Sequence, residues 1–260
     1  MAKSGWAKFP YADKAYAYDG AGLKKHWDRL HRGDCEPWPK SEAVQAAWRH
    51  YHAGEFEQAV EAGLAAGVEG YSVANKAAAI YATHLEQAGA NKVRLLEEAM
   101  KRGEKAIGER PKDANAHYFY AMAAGRYSQE ISIAKALAQG LGGRIREALT
   151  QALKLQSKHA DAHIALGAWH AEIIGKVGGM MGGLTYGASK DAALEHFQKA
   201  LKLNPDSAIA RIEYANGLVT LFGKERLKEA EKLYAEAAKR KALDAMERLD
   251  VEAAKAELAD

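Results

Sequence analysis

The stretch DAALEHFQKALKLNPDSAIARIEYANGL, residues 191–218, decides the fold. Ala193 and Ala200 recur at helical spacing with Phe197 between them, so one face of a first helix is small and apolar. Pro205 cannot continue that helix, and Asp206 and Ser207 offer acceptors to the unsatisfied first amides of a second. The second helix carries Ala215 near its middle. Small residues at the crossing let two antiparallel helices approach to the short end of the usual separation of roughly 8–10 Å.

The same shape recurs. GEFEQAVEAGLAAG (54–67), VRLLEEAMKRGEKAIGERPKD (93–113) and GGRIREALTQALKLQSKHAD (142–161) share it, and RLKEAEKLYAEAAKRKALD (226–244) is a looser copy. Alanine pairs mark most of them: Ala59 with Ala66, Ala99 with Ala106, Ala230 with Ala237. A partner helix often precedes each, with Ala121 or Gly167 at its centre. Asp113 after Pro111, and Asp161 before AHIALGAWH, read as further helix starts. Helical periodicity holds from about residue 41 onward, and β-branched runs are missing. An amphipathic helix pair that cannot bury both faces alone must stack on its neighbours.

On Leu166, Gly167, Ala193, Phe197, Ala200 and Pro205 the sequence resembles tetratricopeptide repeats over roughly residues 41–240. Corresponding alanines lie about 37 to 49 residues apart, longer than the usual repeat of about 34. The long insert before EHFQKAL and the ending KALDAMERLDVEAAKAEL are similar to two groups within that superfamily. One is the regulator of microtubule dynamics proteins and their bacterial relatives. The other is the helical-repeat lipoprotein component associated with TRAP transporters. The resemblance implies an all-α, tetratricopeptide-like helix-pair solenoid, a right-handed superhelix. The expected organisation is an N-terminal extension with a capping helix over 1–40, held by Trp27, Trp38 and Trp48. A solenoid of about five helix pairs follows over 41–240, then a C-terminal helix or tail over 241–260.

The bulk numbers restrict the function classes. A formal charge of +3 over 260 residues, with basic residues spread among acidic ones, gives no electrostatic footprint for nucleic acid. The single Cys35 excludes an internal disulfide, and no apolar run is long enough to span a membrane. The N-terminal stretch has neither the apolar core of a secretory signal nor a lipoprotein cysteine, so a cytoplasmic location is expected.

The insert GKVGGMMGGLTYGASK, residues 175–190, is the least ordinary segment. It misses the phosphate-loop pattern because Ala188 stands where lysine is required, and it follows a helix instead of a strand. IIGKVGGMMGGL is too short to cross a bilayer and holds Lys176. Gly175, Gly179 and Gly183 make a smooth stripe if the helix runs on to about Met181, turns through 182–187 and restarts at a Ser189 cap; the alternative is an irregular loop. The third repeat has a similar overlong first helix, Asp113 to Gln139, with a GLGG turn at 140–143. Two overlong helices side by side would set Ile131, Ile133 and Leu137 against Val177, Met180 and Leu184 as an apolar edge platform. The candidate binding residues are therefore Tyr118, Arg126, Lys135, Arg144, Lys176, Met180, Met181 and Tyr186.

Catalytic signals are weak. His159, His163 and His170 include one metal-compatible spacing but no HExxH and no cysteine partner, and they read as structural, as do His50 and His52. Cys35, near His31 and Asp34, sits in what reads as a surface turn without an assembled base. The expected function is a non-catalytic scaffold that needs no cofactor or metal. It would hold a protein or peptide in its concave groove or on the edge platform. A small organic acid or lipid-like ligand is the alternative.

Overall fold

The structure, a computed structural model, describes residues 5–259. Residues 1–4 of the expected extension and residue 260 of the expected tail lie outside the described residues. Among the described residues there are helices and no strands: α1 Gly20–Leu30, α2 Glu42–Ala53, α3 Phe56–Ala65, α4 Tyr71–His84, α5 Gly89–Glu109, α6 Ala114–Glu130, α7 Ile133–Ala138, α8 Leu141–Leu155, α9 Ala160–Val177, α10 Gly179–Met181, α11 Lys190–Leu203, α12 Ala208–Phe222, α13 Leu227–Ala238 and α14 Ala245–Glu257.

Antiparallel pairs stack in chain order: α2 with α3, α4 with α5, α6 with α8, α9 with α11, α12 with α13, and α14 against α12 and α13. The sequence pattern explains which helix of each pair faces inward. On α5 the buried residues Leu95, Leu96, Ala99, Met100, Gly103 and Ala106 form one stripe, the signature of an outer helix with a wet face. On α4 and α6 burial runs unbroken through Ser72–Ala79 and Asn115–Ala121, as it must where a helix is covered on several sides.

Close approach works as expected from the small residues. A Cβ on Gly217 would lie 2.5 Å from the Phe197 ring, and one on Gly167 would lie 2.9 Å from it. Phe197 of α11 thus wedges between α9 and α12 and stacks on Tyr214 at 5.2 Å. Local capping follows the reading of Asp113, Ser189 and Ser207, whose side chains accept from Asn115, Ala192 and Ala210 amides. At α9 the cap is His159 instead, accepting through Nδ1 from the Ala162 amide; Asp161 lies inside the first turn.

Neither long first helix is continuous. The chain leaves α6 at Ile131, where the backbone is extended, and Ser132 caps the short α7. The expected GLGG turn reduces to Gly140, because α8 begins at Leu141. In the fourth pair, α9 stops at Gly178, whose φ of 81° suits only glycine, and a turn of π-helix over 182–186 leads to the Ser189 cap. The glycine stripe does not seat a helix along its length. A Cβ on Gly175 would meet Thr220 at 2.8 Å, but one on Gly179 would meet nothing within 4 Å. The two connections are nevertheless neighbours, since Arg146 donates to the Tyr186 carbonyl at 2.7 Å and Gly142 lies against the Tyr186 ring.

The N-terminal segment does more than cover α2. Trp27 packs edge-on to Trp48 at 5.8 Å and Trp38 at 4.9 Å. Residues 31–36 then run along the starts of successive inner helices as a strap. Glu36 accepts from Asn115 at the start of α6, the Gly33 carbonyl accepts from the Asp161 amide, and Arg32 reaches Asp206 at 2.8 Å just before α12. The last helix closes on the first pair: His52 of α2 bonds Asp244 at 2.7 Å, Arg29 of α1 bonds Glu247 at 2.7 Å, and Tyr18 donates to the Leu243 carbonyl at 2.8 Å.

Candidate functional site

Because the solenoid curls until α14 meets α2, its inner helices enclose a cup of about 190 Å³. The strap lies along one edge of the inner helices. The connections through α7 and through residues 178–189 form the rim on the other. Ile80, Met122, Ile133, Leu137, Ile173 and Val177 supply apolar wall. Trp169 stiffens the rim by donating from Nε1 to the Gly142 carbonyl at 2.8 Å.

The floor is polar and arrives from four separate segments. Lys76 on α4 is 4% exposed and is held by Asp34 of the strap at 2.6 Å. Its ammonium also lies over the rings of Trp48, Tyr51 and Phe119 at 5.8, 5.4 and 5.9 Å. Burial pulls the Lys76 pKa down, but the Asp34 charge outweighs it, and Lys76 ends above the ordinary lysine value. Burial likewise opposes ionisation of Asp34, and Lys76 with His31 overcomes it and holds the carboxyl well below the usual range. His31 donates to Asp34 at 2.9 Å and faces His52 at 3.3 Å, which continues the chain to Asp244. Burial drives His31 down to about 4, so it is neutral at pH 7.

Beside this saturated network lie groups that have no hydrogen-bond partner among the described residues. Asp161, in the first turn of α9, has its pKa raised to about 7 by burial, with Lys76 opposing and Asp34 adding to the rise. Asp250 on α14 is 2% exposed and is pushed well above the carboxylate range by burial, then by Asp244 and Glu247. His84 Nε2 lies 3.9 Å from Asp250, beyond hydrogen-bond reach, and burial lowers this imidazole to about 4. Arg126 is committed to Glu213 of α12 at 2.9 Å, and Lys176 to Glu172 at 3.0 Å.

The expected site residues divide. Tyr118, Arg126, Lys176 and Tyr186 line the cup. Lys135 is exposed over the Tyr127 ring at 5.6 Å, and Arg144 pairs with Glu104 on the outer side, beside Tyr120. Met180 and Met181 do not line it: they are 79% and 57% exposed, as is Leu184 at 81%. The expected apposition of Met180 and Leu184 with Ile133 and Leu137 fails because Gly178 turns the chain outward before they are reached. The wall opposite Ile133 and Leu137 is built instead from Ile173 and Val177.

The sequence reading missed Lys76, His84, Asp161 and Asp250 as floor residues. Lys76 did leave a signal: in SVANKAAAIYA one lysine interrupts a run with no polar face. Asp250, in the charged pattern MERLDVEAAK, left none. His163 and His196 join through their Nδ1 atoms at 2.8 Å, and His170 stacks on His196. Among the described residues no group of three or more His, Cys, Asp or Glu is arranged to hold a metal. Cys35 is not aligned with His31, whose Nδ1 serves Asp34; burial, Asp34 and Asp161 raise the thiol to about 11.

A family model for regulator of microtubule dynamics protein 1-3 matches residues 71–258. The chain belongs to that family. The match begins at α4 and ends just past α14, so every residue lining the cup lies inside it and the strap lies before it. Among solved structures, a thermophilic TPR protein of Thermus thermophilus, TTC0263, superposes with a TM-score of 0.58 at 16% identity, over 82% of this chain and 97% of that one. MamA aligns over 76% of this chain and 88% of its own, at 19% identity and a TM-score of 0.42. No curated protein matches the sequence. This member of the regulator of microtubule dynamics family therefore has a tetratricopeptide-like helical-repeat fold. No helix among the described residues is long and apolar enough to cross a membrane.

Proposed function

We propose that the protein is a non-catalytic scaffold that holds a segment of a partner polypeptide in the cup. The cup itself carries this reading: an apolar-walled recess on the inner face of a repeat solenoid, with buried charged groups on its floor. An extended segment that buries apolar side chains against such walls gains affinity from desolvation, and the floor sets which segment fits. Tyr118, Arg126, Lys176 and Tyr186 are the binding residues retained from the sequence reading, joined by the floor groups.

Gly125 gives a clean test. It lines the cup in the middle of α6, and a Cβ built there meets nothing within 4 Å. Gly125→Leu therefore starts from an unobstructed Cβ on the recess and removes a helix-interior glycine, which stabilises by about 1 kcal/mol. Peptides selected from a random display library on the wild-type protein should lose binding to Gly125→Leu while its Tm rises. Selected peptides that bind both proteins equally would place recognition elsewhere.

A second reading, a small-ligand receptor related to the transporter-associated repeat proteins, is favoured by the strap along one edge of the cup. Thermal-shift screening with organic acids and lipids separates the two readings.

A further inference from the structure

Three cations line the cup, and each already has an acid within hydrogen-bond distance. Lys76 is held by Asp34, Arg126 by Glu213 and Lys176 by Glu172. Two carboxyls of the same lining, Asp161 and Asp250, receive no side-chain hydrogen bond among the described residues. Asp250 is 2% exposed. His84 stands 3.9 Å away, and Arg126, the one cation that tempers the Asp250 charge, is pinned to Glu213. A carboxyl removed from water without a donor is costly, and proteins leave few such groups. Asp250 approaches that limit and Asp161 is half-buried, and both, on α14 and α9, face one recess among apolar walls and cations that are already paired.

Resting on the reading that the cup takes a polypeptide, we propose that Asp161 and Asp250 form a receptor for a lysine or arginine side chain, so that the occupant is a partner segment with one basic residue flanked by apolar ones. The lining selects the sign: an acidic segment would add to two carboxyls that lack donors, and a purely apolar one would leave them unmet. The aliphatic stem of the basic side chain lies along the wall, and its head supplies the missing donors. Other charged groups facing the pair are Asp34, Asp244 and Glu247, which repel a further negative charge, and Lys76, which is already neutralised.

The experiment uses the full chain and a display library of short random peptides. Selected peptides should be enriched in lysine or arginine between apolar residues. Replacing that base by norleucine should weaken binding to the wild-type protein by at least about tenfold, and by less than about twofold to Asp250→Asn, because the lost interaction is then already absent. Binding should also tighten as pH rises through about 7, where Asp161 ionises to meet the cation. Asp250→Asn should keep a Tm no lower than the wild type, which a merely structural aspartate would not. Peptides that bind in a Gly125-dependent way but carry no base, or that show no coupling to Asp250, would overturn this inference and leave the scaffold reading standing. Failure to select any peptide overturns both. Stabilisation by a free amine such as 4-phenylbutylamine, with no peptide selected, would assign the site to a small amine and overturn the polypeptide occupant.

Discussion

Asp34 and Asp250 are equally buried, at 1% and 2% exposure, yet one is surrounded by donors and the other has none among the described residues. Asp34 accepts from His31 at 2.9 Å, from Lys76 at 2.6 Å and from the Glu36 amide at 3.1 Å. It ties the strap to α4 and, through His31 and His52, to the start of α14. Asp250 looks into the cup across 3.9 Å from His84. The difference separates a charge that holds the solenoid closed from a carboxyl available to something outside it. A buried ion with all its partners is expensive to disrupt, whereas a buried carboxyl without donors weakens the fold until a ligand meets it.

Breaking the satisfied side should have the largest effect. Asp34→Ala strands the Lys76 ammonium, the His31 Nδ1–H and the Glu36 amide together, and removal of one partner of a buried pair costs about 3–5 kcal/mol. Urea denaturation should show that loss. A change below about 1 kcal/mol would mean that Asp161 takes over Lys76, and the contrast between the two sites would disappear.

The unsatisfied side should respond with the opposite sign. Asp250→Asn removes a group whose folded pKa lies above its unfolded one. Such a group contributes fully below the unfolded pKa of about 3.9, and its contribution is lost as pH rises through the folded value. The variant should therefore gain about 1 kcal/mol over the wild type at pH 7, and the gain should vanish toward about pH 4. His31 and His159, lowered to about 4 by burial, act in the other direction: their contribution is full above about pH 6.5 and falls as pH drops toward 4. Tm against pH for the two proteins resolves the terms. A destabilised Asp250→Asn at neutral pH would place Asp250 with Asp34 as a structural group.

How legible these features were depends on how far each interaction reaches along the chain. The caps at Asp113, Ser189 and Ser207 rest on neighbours two or three residues away, and the sequence displays them directly. The helix pairs follow from alanines and glycines at crossing points, and Phe197 against Gly167 and Gly217 shows why only small residues serve there. The overlong helices were half legible. Periodicity continues past Ile131, but Ser132 is a better cap than a helix-interior residue, and Gly178 is used for its positive φ and not for a smooth face. The floor was not legible at all. Residues 34, 76, 161 and 250 meet only because the superhelix closes, and no local pattern distinguishes Asp250 from the acids Glu247 and Glu252 beside it in the sequence.

The smallest predicted effect probes how firmly the strap is set. Cys35 has a φ of 52°, a left-handed conformation that a cysteine adopts with some strain and an asparagine tolerates better. Its thiol reaches the Lys158 carbonyl at 3.5 Å, a weak contact whose loss costs little. The two changes offset, so Cys35→Asn should alter stability by no more than about 0.5 kcal/mol. The wild-type thiol is more informative. Raised to about 11 by burial and by Asp34 and Asp161, it should alkylate with iodoacetamide at neutral pH at least about tenfold more slowly than free cysteine. Because Asp34→Ala also removes a charge that raises the thiol pKa, the comparison is of thiolate reactivity corrected for the pKa of each protein: a corrected rate that rises in Asp34→Ala would show that the Asp34 network holds the strap down. Fast labelling in the wild type would mean that the strap opens by itself, and Asp34, despite its three donors, would then be no firmer an anchor than Asp250.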